Sequence, residues 1–325
     1  MAELPLPPWP DDPAIETATL ALNYVCNSAC SFCFIERELG LGLRDTPEET
    51  LAAVFSTNRG RGERRFRRLI LSGAEATLRK DLPRVVERAR SEGGFDVVRL
   101  QTNGRRLADR AYTKDLVSAG LTEFFVSVHA GSREVDSRLT RAPRSFDQMR
   151  RGLGSIRDAG ARLITNSCIS AGNVDHLDEL AEFLVIEGVL EARMWAFVEF
   201  GDIGQSAEHV RHPEAAPGLR AAVGVLREAG VDVRVSWFPA CLLGEHADVV
   251  ENHRSFTIIH REFRDRLRGS SEFGCPHAAS CSLFPRGCVG LHERYVDRFG
   301  DEREALAPLP RARSGTSWMT ERDPA

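Results

Sequence analysis

Three cysteines, Cys26, Cys30 and Cys33, lie within eight residues directly after an alternating apolar run that is typical of a β-strand. Thiolates in a C-x3-C-x2-C pattern can surround one corner of a cubane iron–sulfur cluster, which leaves the fourth iron open to a small molecule. An open iron predicts chemistry rather than electron storage alone. Structural zinc is the main alternative, but such a site usually has four ligands, and this loop offers three cysteines and no histidine.

A second group of cysteines lies near the C-terminus, at Cys241, Cys275, Cys281 and Cys288. Four thiolates from one small module suit either an auxiliary iron–sulfur cluster or a structural zinc site. His277 and His292 lie close by and could replace one thiolate. The eighth cysteine, Cys168, stands alone in an apolar run, and we interpret it as a small buried core residue.

Strand-like runs alternate with amphipathic helical segments from residue 17 onward, and the helical segments tend to end at a glycine. Six βα units in succession predict an α/β fold with parallel strands and helices outside. The predicted strands are Thr17–Val25, Arg68–Ser72, Val97–Asn103, Glu123–His129, Arg162–Ser170, Arg193–Phe200 and Val231–Ser236. Ligands of such folds bind at the carboxyl ends of the strands, where the first three cysteines lie.

Polar side chains follow several of the other predicted strands. Glu75 comes after the second strand, where a carboxylate can accept bonds from an ammonium group, and Asn103 ends the third strand before a glycine turn. Ser127 and His129 end the fourth strand and point to the same face by its two-residue period. These residues are predicted to surround a common site at the mouth of the fold.

Together these features resemble the radical S-adenosylmethionine superfamily. Phe32 matches the usual aromatic residue before the last cysteine of the family's loop, and Gly73-Ala74-Glu75 is similar to its glycine-glutamate motif. The family's Thr-Asn-Gly sequence is present at residues 102–104. The resemblance reaches about residue 200 and so covers roughly two thirds of the chain. The C-terminal cysteines resemble the auxiliary-cluster modules of many members.

The resemblance implies a partial (β/α)6 TIM-like barrel in which a [4Fe-4S] cluster binds S-adenosylmethionine through its open iron. One electron, from a reductant such as flavodoxin or ferredoxin, then releases a 5'-deoxyadenosyl radical. Glu75 is the implied contact of the amino group, and Gly73 belongs to the same motif. A second iron–sulfur cluster is implied in the C-terminal module.

The remaining contacts of the cofactor follow from the same resemblance. Asn103, Ser127 and Asn166 are implied near the ribose or the carboxylate. Phe32 and the sixth-strand segment near Trp195 are implied on either side of the adenine.

The glycine-glutamate motif departs from the usual Gly-Gly-Glu-Pro, because Ala74 and Ala76 replace the second glycine and the proline. If the second glycine requires a positive φ, Ala74 would be strained by roughly 1 kcal/mol or more.

Length and composition divide the 325 residues into four predicted segments: an N-terminal extension (1–16), the barrel (17–235), a cysteine-rich module (236–309) and a flexible tail (310–325). A formal charge of −4 gives no general attraction to nucleic acid or to anionic membranes. The arginine-rich run 59–68 is interpreted as a solvated linker. With no long apolar run and no signal peptide, the expected location is the cytoplasm.

The resulting functional prediction is a radical S-adenosylmethionine oxidoreductase or modifying enzyme that acts on a peptide or on a small biosynthetic molecule. Oxidation, cross-linking, epimerisation and rearrangement are all open. His129, Glu199 and Asp202 are candidates for moving a proton. The alternatives are a zinc-stabilised binding protein and an RNA-modifying radical enzyme that would use the arginine-rich run.

Overall fold

The computed structural model describes residues 6–33, 35, 42–43, 45–60, 64–199, 206–252, 254–267 and 272–309. Within this part, eight parallel strands form one sheet in the order β7-β6-β5-β4-β3-β2-β1-β8, which curls into a half-barrel. The strands are β1 (Thr17–Ala21), β2 (Arg68–Ser72), β3 (Val97–Thr102), β4 (Glu123–Ser127), β5 (Arg162–Ile169), β6 (Glu191–Ala196), β7 (Asp232–Ser236) and β8 (Phe256–Ile258). The short strands β9 (Phe273–Gly274) and β10 (Leu291–His292) form an antiparallel pair.

Helices follow each of the first six strands and cover the outside of the sheet, which confirms the predicted partial TIM-like α/β fold. They are α1 (Glu48–Arg59), α2 (Leu82–Ser91), α3 (Arg110–Ser118), α4 (Arg133–Thr140), α5 (Ser145–Asp158), α6 (Leu177–Ile186), α7 (His212–Glu228), α8 (Arg261–Leu267) and α9 (Glu293–Phe299). None of the helices in the described ranges has the length and apolar character needed to cross a membrane. Strand β8 was not predicted, and it lies within the stretch assigned to the C-terminal module.

The two faces of the sheet differ in character because successive strand residues point to opposite sides. Outward-facing residues such as Leu69 and Leu71 are fully buried in one core under the helices. Inward-facing residues near the start of the strands, together with Glu251 from the segment after β7, form a network of ion pairs. We call it the charged floor: Arg68, Arg99, Glu123, Arg162, Glu191, Arg193 and Glu251. Each arginine of this floor already bonds a carboxylate, so the positive charges at the bottom of the half-barrel are paired within the protein.

The N-terminal segment packs against the sheet. The ring of Trp9 lies 4.9 Å from that of Phe66, and the guanidinium of Arg65 donates to the carbonyls of Pro10 and Asp12, both at 2.7 Å. At Arg65 the arginine-rich run therefore serves to hold the N-terminal segment, rather than acting as a solvated linker.

The C-terminal part of the chain docks on the start of α7. The imidazole of His212 stacks on Tyr295 with ring centroids 4.2 Å apart, and Phe238 meets its edge at 4.8 Å. The Tyr295 hydroxyl accepts from the His212 backbone N–H (2.8 Å) and donates to Glu302 (3.2 Å). Arg211 binds the same carboxylate at 2.9 Å. Burial lowers the pKa of His212 to about 3.

This buried histidine predicts a pH dependence of stability. An exposed histidine titrates near pH 6.5, so between about pH 6.5 and 3 the unfolded chain binds a proton that folded His212 does not. The free energy of unfolding should therefore fall as the pH drops through this window, by roughly 1.4 kcal/mol per pH unit from this group. Anaerobic urea unfolding at pH 7 and pH 5 should show a smaller loss in His212→Asn than in the wild type. Equal losses in the two proteins would contradict the assignment.

Candidate active site and cysteine clusters

The loop that carries Cys26, Cys30 and Cys33 leaves the sheet after β1 and is held by the end of α4. Backbone N–H groups of residues 29 and 31 donate to the carbonyls of Thr140 (3.0 Å) and Leu139 (2.8 Å). Burial raises the pKa of the Cys30 thiol well above its usual range, and the neighbouring Cys33 and Cys26 add to the shift. The three sulfurs are therefore close enough to interact, and a bound cation would reverse this shift by stabilising the thiolates.

Glu75 lies at the mouth of the half-barrel, 1% exposed, with four donors on its carboxylate. One oxygen accepts from the Thr77 backbone N–H (3.1 Å), the Thr77 hydroxyl (2.5 Å) and the Thr102 hydroxyl (2.6 Å). Within the part of the chain that the structure describes, the other oxygen accepts only from the Asn103 backbone N–H (2.7 Å). The second oxygen thus keeps a lone pair, and the carboxylate is fixed in one orientation.

Asn103 links this carboxylate to the cysteine loop. Its side-chain amide donates to the Asn27 side chain at 2.7 Å and lies 3.9 Å from the Cys26 sulfur. Arg105 adds a second clamp, because its guanidinium donates to the Asn27 carbonyl and to the Ser28 hydroxyl (3.0 Å). Asn103 therefore positions the loop, a role that the resemblance did not assign to it.

In the turn before Glu75, the residue with a positive φ is Gly73 and not Ala74. Gly73 has φ 135°, and a Cβ there would lie 2.6 Å from the Asn23 carbonyl oxygen. Asn23 also donates to the Glu75 carbonyl (2.7 Å) and accepts from the Glu75 N–H (3.2 Å). Ala74 has an ordinary negative φ, so the strain expected from the missing second glycine does not arise.

Gly73→Ala should lower the free energy of unfolding by roughly 2 kcal/mol or more, because it combines an unfavourable φ with a backbone collision. Gly230→Ala is the matched control, since Gly230 has φ 79° but open space around its missing Cβ. Urea unfolding should show a loss for Gly230→Ala of about 1 kcal/mol. A Gly73 variant no less stable than the Gly230 variant would exclude the close approach of Asn23.

His129 and Phe32 form a packed pair beneath the cysteine loop, with ring centroids 4.6 Å apart. Burial lowers the pKa of His129 to about 4, and its Nδ1 accepts from the Cys168 backbone N–H at 3.1 Å. The geometry gives His129 a positioning role as a neutral imidazole. Cys168 is half-buried close to Cys33, so it lies at the mouth rather than in the core under the helices, and burial raises the pKa of its thiol.

The inner wall above the charged floor carries the remaining residues implied for the cofactor. Ser127 and Asn166 are register partners, and the buried Asn166 side-chain oxygen has no hydrogen-bond partner among the described residues. The ring of Trp195 lies 5.7 Å from Phe125 and 5.1 Å from Trp237. Trp237 has φ 60°, which is rare for a bulky residue and marks backbone strain of the kind found at functional sites.

Glu199 lies beyond the end of β6, and one of its carboxylate oxygens is 3.4 Å from Nε2 of the buried His209. Burial lowers the pKa of His209, and the Glu199 carboxylate opposes that shift. The two side chains therefore form an electrostatically coupled pair beyond the end of β6. Asp202, the other candidate, lies outside the described residues.

The four C-terminal cysteines line one cavity, although Cys241 lies 34 positions before the next of them. The empty space between the lining residues is about 360 Å³ when the adjoining open solvent is included, and the centres of water-sized spheres can occupy about 10 Å³ of it. Leu283, Phe284 and Leu306 supply apolar walls. Burial raises the pKa of Cys241 and Cys288, and charge on the other cysteines of the group raises both further. Within the described ranges, no group of three or more His, Cys, Asp or Glu could hold a single metal ion. An iron–sulfur cluster does not require its ligands to converge on one atom, because each thiolate binds a separate iron.

A short hairpin brings two of these cysteines together. β9 pairs with β10, and a Cβ on Gly290 (φ 80°) would lie 2.2 Å from the Gly274 carbonyl oxygen, so Cys275 and Cys288 are held side by side. His292 accepts from the Arg294 N–H at 3.3 Å and caps α9.

Sequence reasoning missed Asn23, Arg105, His209, Trp237 and Asn252. Asn23 lies two residues after the end of β1, and Trp237 directly follows β7. Their positions at the ends of strands could have marked both residues as candidates. No sequence motif or predicted strand end marks Asn252. Its side chain accepts from the Trp237 N–H (3.0 Å) and donates to the Gly287 carbonyl (3.1 Å).

Comparison with known sequences identifies a family and a group of relatives. The profile described as "Radical SAM superfamily" matches residues 21–184, just over half of the chain. A protein named "Probable GTP 3',8-cyclase" from Saccharolobus islandicus (strain M.14.25 / Kamchatka #1) is 31% identical over 208 residues, which cover 60% of this chain and 65% of that protein. A protein of the same name from Methanopyrus kandleri is 32% identical, covering 54% and 55%. The matches thus span less than two thirds of these relatives.

Comparison with solved structures supports the fold. Streptococcus suis SuiB bound to the precursor peptide SuiA superposes with a TM-score of 0.55 at 13% identity, covering 68% of this chain and 48% of that one. Methylornithine synthase (PylB) gives a TM-score of 0.52 at 14% identity, covering 78% and 86%. At these identities the similarity concerns the fold alone.

Proposed function

The chain belongs to the radical SAM superfamily, and we propose that it uses S-adenosylmethionine to generate a 5'-deoxyadenosyl radical that abstracts a hydrogen atom from a small molecule. When bound, a reduced [4Fe-4S] cluster supplies the electron that cleaves the sulfonium bond. Cys26, Cys30 and Cys33 hold that cluster in this proposal.

The observation that carries the proposal is the link between the cysteine loop and a fixed carboxylate. Asn103 bonds both Glu75 and the loop, so an amino group bound at the open iron would lie near the carboxylate oxygen that has one donor. The unpartnered oxygen of Asn166 fits a ribose hydroxyl, and the half-buried Trp195 ring fits a flat base. In this assignment Gly73 shapes the turn, and Ser127 lies beside Asn166. Phe32 flanks the adenine from the loop side.

A nucleotide is the first substrate to test, because the curated relatives are named for a GTP cyclisation. This favours the small-molecule branch over peptide modification and over the RNA and zinc alternatives. The arginines of the charged floor are already paired with carboxylates, so they are poorly placed to neutralise a triphosphate. Glu199 and His209 are the proposed proton acceptors for the substrate.

Cys241, Cys275, Cys281 and Cys288 are proposed to hold a second iron–sulfur cluster. A small reductant protein such as flavodoxin or ferredoxin would supply electrons in the cytoplasm. The apolar walls of the cavity suit a cluster, because they keep water from its sulfides.

Two measurements on the anaerobically reconstituted protein test this function. The wild type should contain about eight irons, and a Cys275→Ala, Cys281→Ala, Cys288→Ala variant about four, with cofactor cleavage still measurable. 5'-Deoxyadenosine formation should then rise when GTP or guanosine is added, and deuterium from the labelled ribose should appear in it. If deuterium is transferred neither from GTP nor from guanosine, the nucleotide substrate is rejected. The cluster assignments would not be affected, because the iron count tests them separately.

A further inference from the structure

The surface beside the first cysteine loop is basic. Residues 133–151, which run from the start of α4 into α5, include six arginines and three acidic residues. Of the acidic residues, Asp136 is buried, and Asp147 is bonded by Arg133 at 2.6 and 2.7 Å. The exposed charge of this segment is therefore positive, although the whole chain has a formal charge of −4.

Three arginines of this segment are exposed and carry unpaired charge: Arg138, Arg144 and Arg151. None of them forms an ion pair with a carboxylate in the part of the chain that the structure describes. Arg138 donates to the Gly172 carbonyl at 3.1 Å, a neutral partner that leaves the positive charge uncompensated. We call these three residues the basic rim. Their charges are available to acidic groups of another molecule.

The basic rim adjoins the elements that hold the cysteine loop. Arg138 directly precedes the last two residues of α4, whose carbonyls accept from the loop's backbone N–H groups at residues 29 and 31. Arg144 directly precedes α5, and Gln148 on that helix accepts from Arg105 at 2.8 Å. Arg105 in turn donates to residues 27 and 28 of the loop. A protein bound at the rim would therefore lie beside the first centre.

The cysteine loop itself reaches the surface. Val25 directly precedes Cys26 and is 52% exposed, and Asn27 on the other side of Cys26 is exposed as well. An exposed apolar side chain near unpaired cations suits a transient partner. Weak electron-transfer complexes bury less than about 1,200 Å², and complementary charge sets their rate of association.

We propose that an acidic one-electron carrier protein of the flavodoxin class docks on the basic rim and reduces the first centre through the exposed cysteine loop. This inference rests on the proposed function, which requires an electron at that centre. The carrier loses one electron and the bound cluster gains it, with no atom transferred. The charge distribution thus assigns the docking surface to α4 and the start of α5.

The test measures equilibrium binding of an oxidised flavodoxin of net negative charge to the reconstituted full-length protein. At low salt, Arg138→Glu and Arg144→Glu should each weaken binding by about threefold to tenfold. Arg138→Gln should have a smaller effect, because it removes one unit of charge and Arg138→Glu changes two. At about 0.5 M salt, wild-type binding should weaken and most of the difference should disappear, because exposed charges are screened.

Arg220→Glu is the matched control. Arg220 is exposed on α7 and donates to the Leu242 carbonyl at 2.8 Å, as Arg138 does to that of Gly172. It forms no ion pair with a described residue, so this variant makes the same change of charge on another helix. It should bind flavodoxin as the wild type does.

A second measurement connects docking to electron delivery. With reduced flavodoxin below saturation, 5'-deoxyadenosine formation should fall in the Arg138→Glu and Arg144→Glu variants by the same factor as binding. Formation driven by dithionite should match the wild type, because a small reductant needs no docking surface. If neither reductant yields 5'-deoxyadenosine, the proposed function fails, and the binding measurement still tests the docking surface.

Three results would overturn the docking proposal. One is flavodoxin binding that is absent or equal in the wild type and the Arg138→Glu and Arg144→Glu variants. Another is a loss confined to Arg220→Glu, which would move the docking surface to the segment that leads into the C-terminal module. The third is tight binding of a single-stranded RNA oligonucleotide that depends on Arg138 and Arg144 while flavodoxin does not bind, which would make nucleic acid the partner of this surface.

Discussion

Cys30→Ala is expected to reduce S-adenosylmethionine cleavage to the background of the reagents and to lower bound iron from about eight to about four per chain. Cys30 lies in the middle of the loop and interacts with both other thiols. Its loss leaves two thiolates, which cannot retain a cubane cluster. Iron analysis and 5'-deoxyadenosine formation on the anaerobically reconstituted protein measure both effects.

Cys168→Ala is the matched control because Cys168 lies near the loop, yet its hydrogen bonds are formed by its backbone. This variant should keep its iron and most of its cleavage activity. Equal losses in the two variants would indicate a fourth cysteine ligand at the first centre and so contradict an open iron.

Glu75→Gln is the second change with a large expected effect. The amide has the size of the carboxylate, but its NH2 group would face fixed donors, namely the backbone N–H of Asn103 or of Thr77. An unsatisfied buried donor costs about 1–3 kcal/mol of unfolding free energy. Loss of a charge-assisted bond to the cofactor's amino group should weaken S-adenosylmethionine binding by roughly tenfold to a hundredfold.

The matched control is Glu87→Gln, an exposed position on α2. Both variants are reconstituted, their iron is counted, and the dissociation constant of S-adenosylmethionine is then measured by equilibrium binding. Glu75→Gln with full iron and wild-type affinity would show that Glu75 shapes the turn without contacting the cofactor.

The fold and the first cysteine site were largely predictable because they depend on local patterns. Strands β2 and β7 lie within a residue of their predicted bounds, and the loop's spacing alone marked Cys26, Cys30 and Cys33. Glycine-terminated helices and strand-end polar residues follow from backbone geometry, which a single sequence records well.

The unpredicted features depend on contacts between distant segments. Asn23 supports Glu75 across 52 positions, and Asn252 joins Trp237 to a loop that lies 35 positions further along the chain. Strand β8 is short, at three residues, and it exists because β1 offers it an edge. Side-chain amides and edge strands of this kind carry no periodic signal that would reveal their partners.

The most direct test of the central claim, an open iron that binds S-adenosylmethionine beside Glu75, is the product formed from that cofactor. The reconstituted wild-type protein, reduced with dithionite under anaerobic conditions, should convert S-adenosylmethionine to equal amounts of 5'-deoxyadenosine and methionine, and omission of dithionite should abolish both. A protein that carries about eight irons and binds S-adenosylmethionine, yet forms no 5'-deoxyadenosine with or without substrate, would contradict the claim.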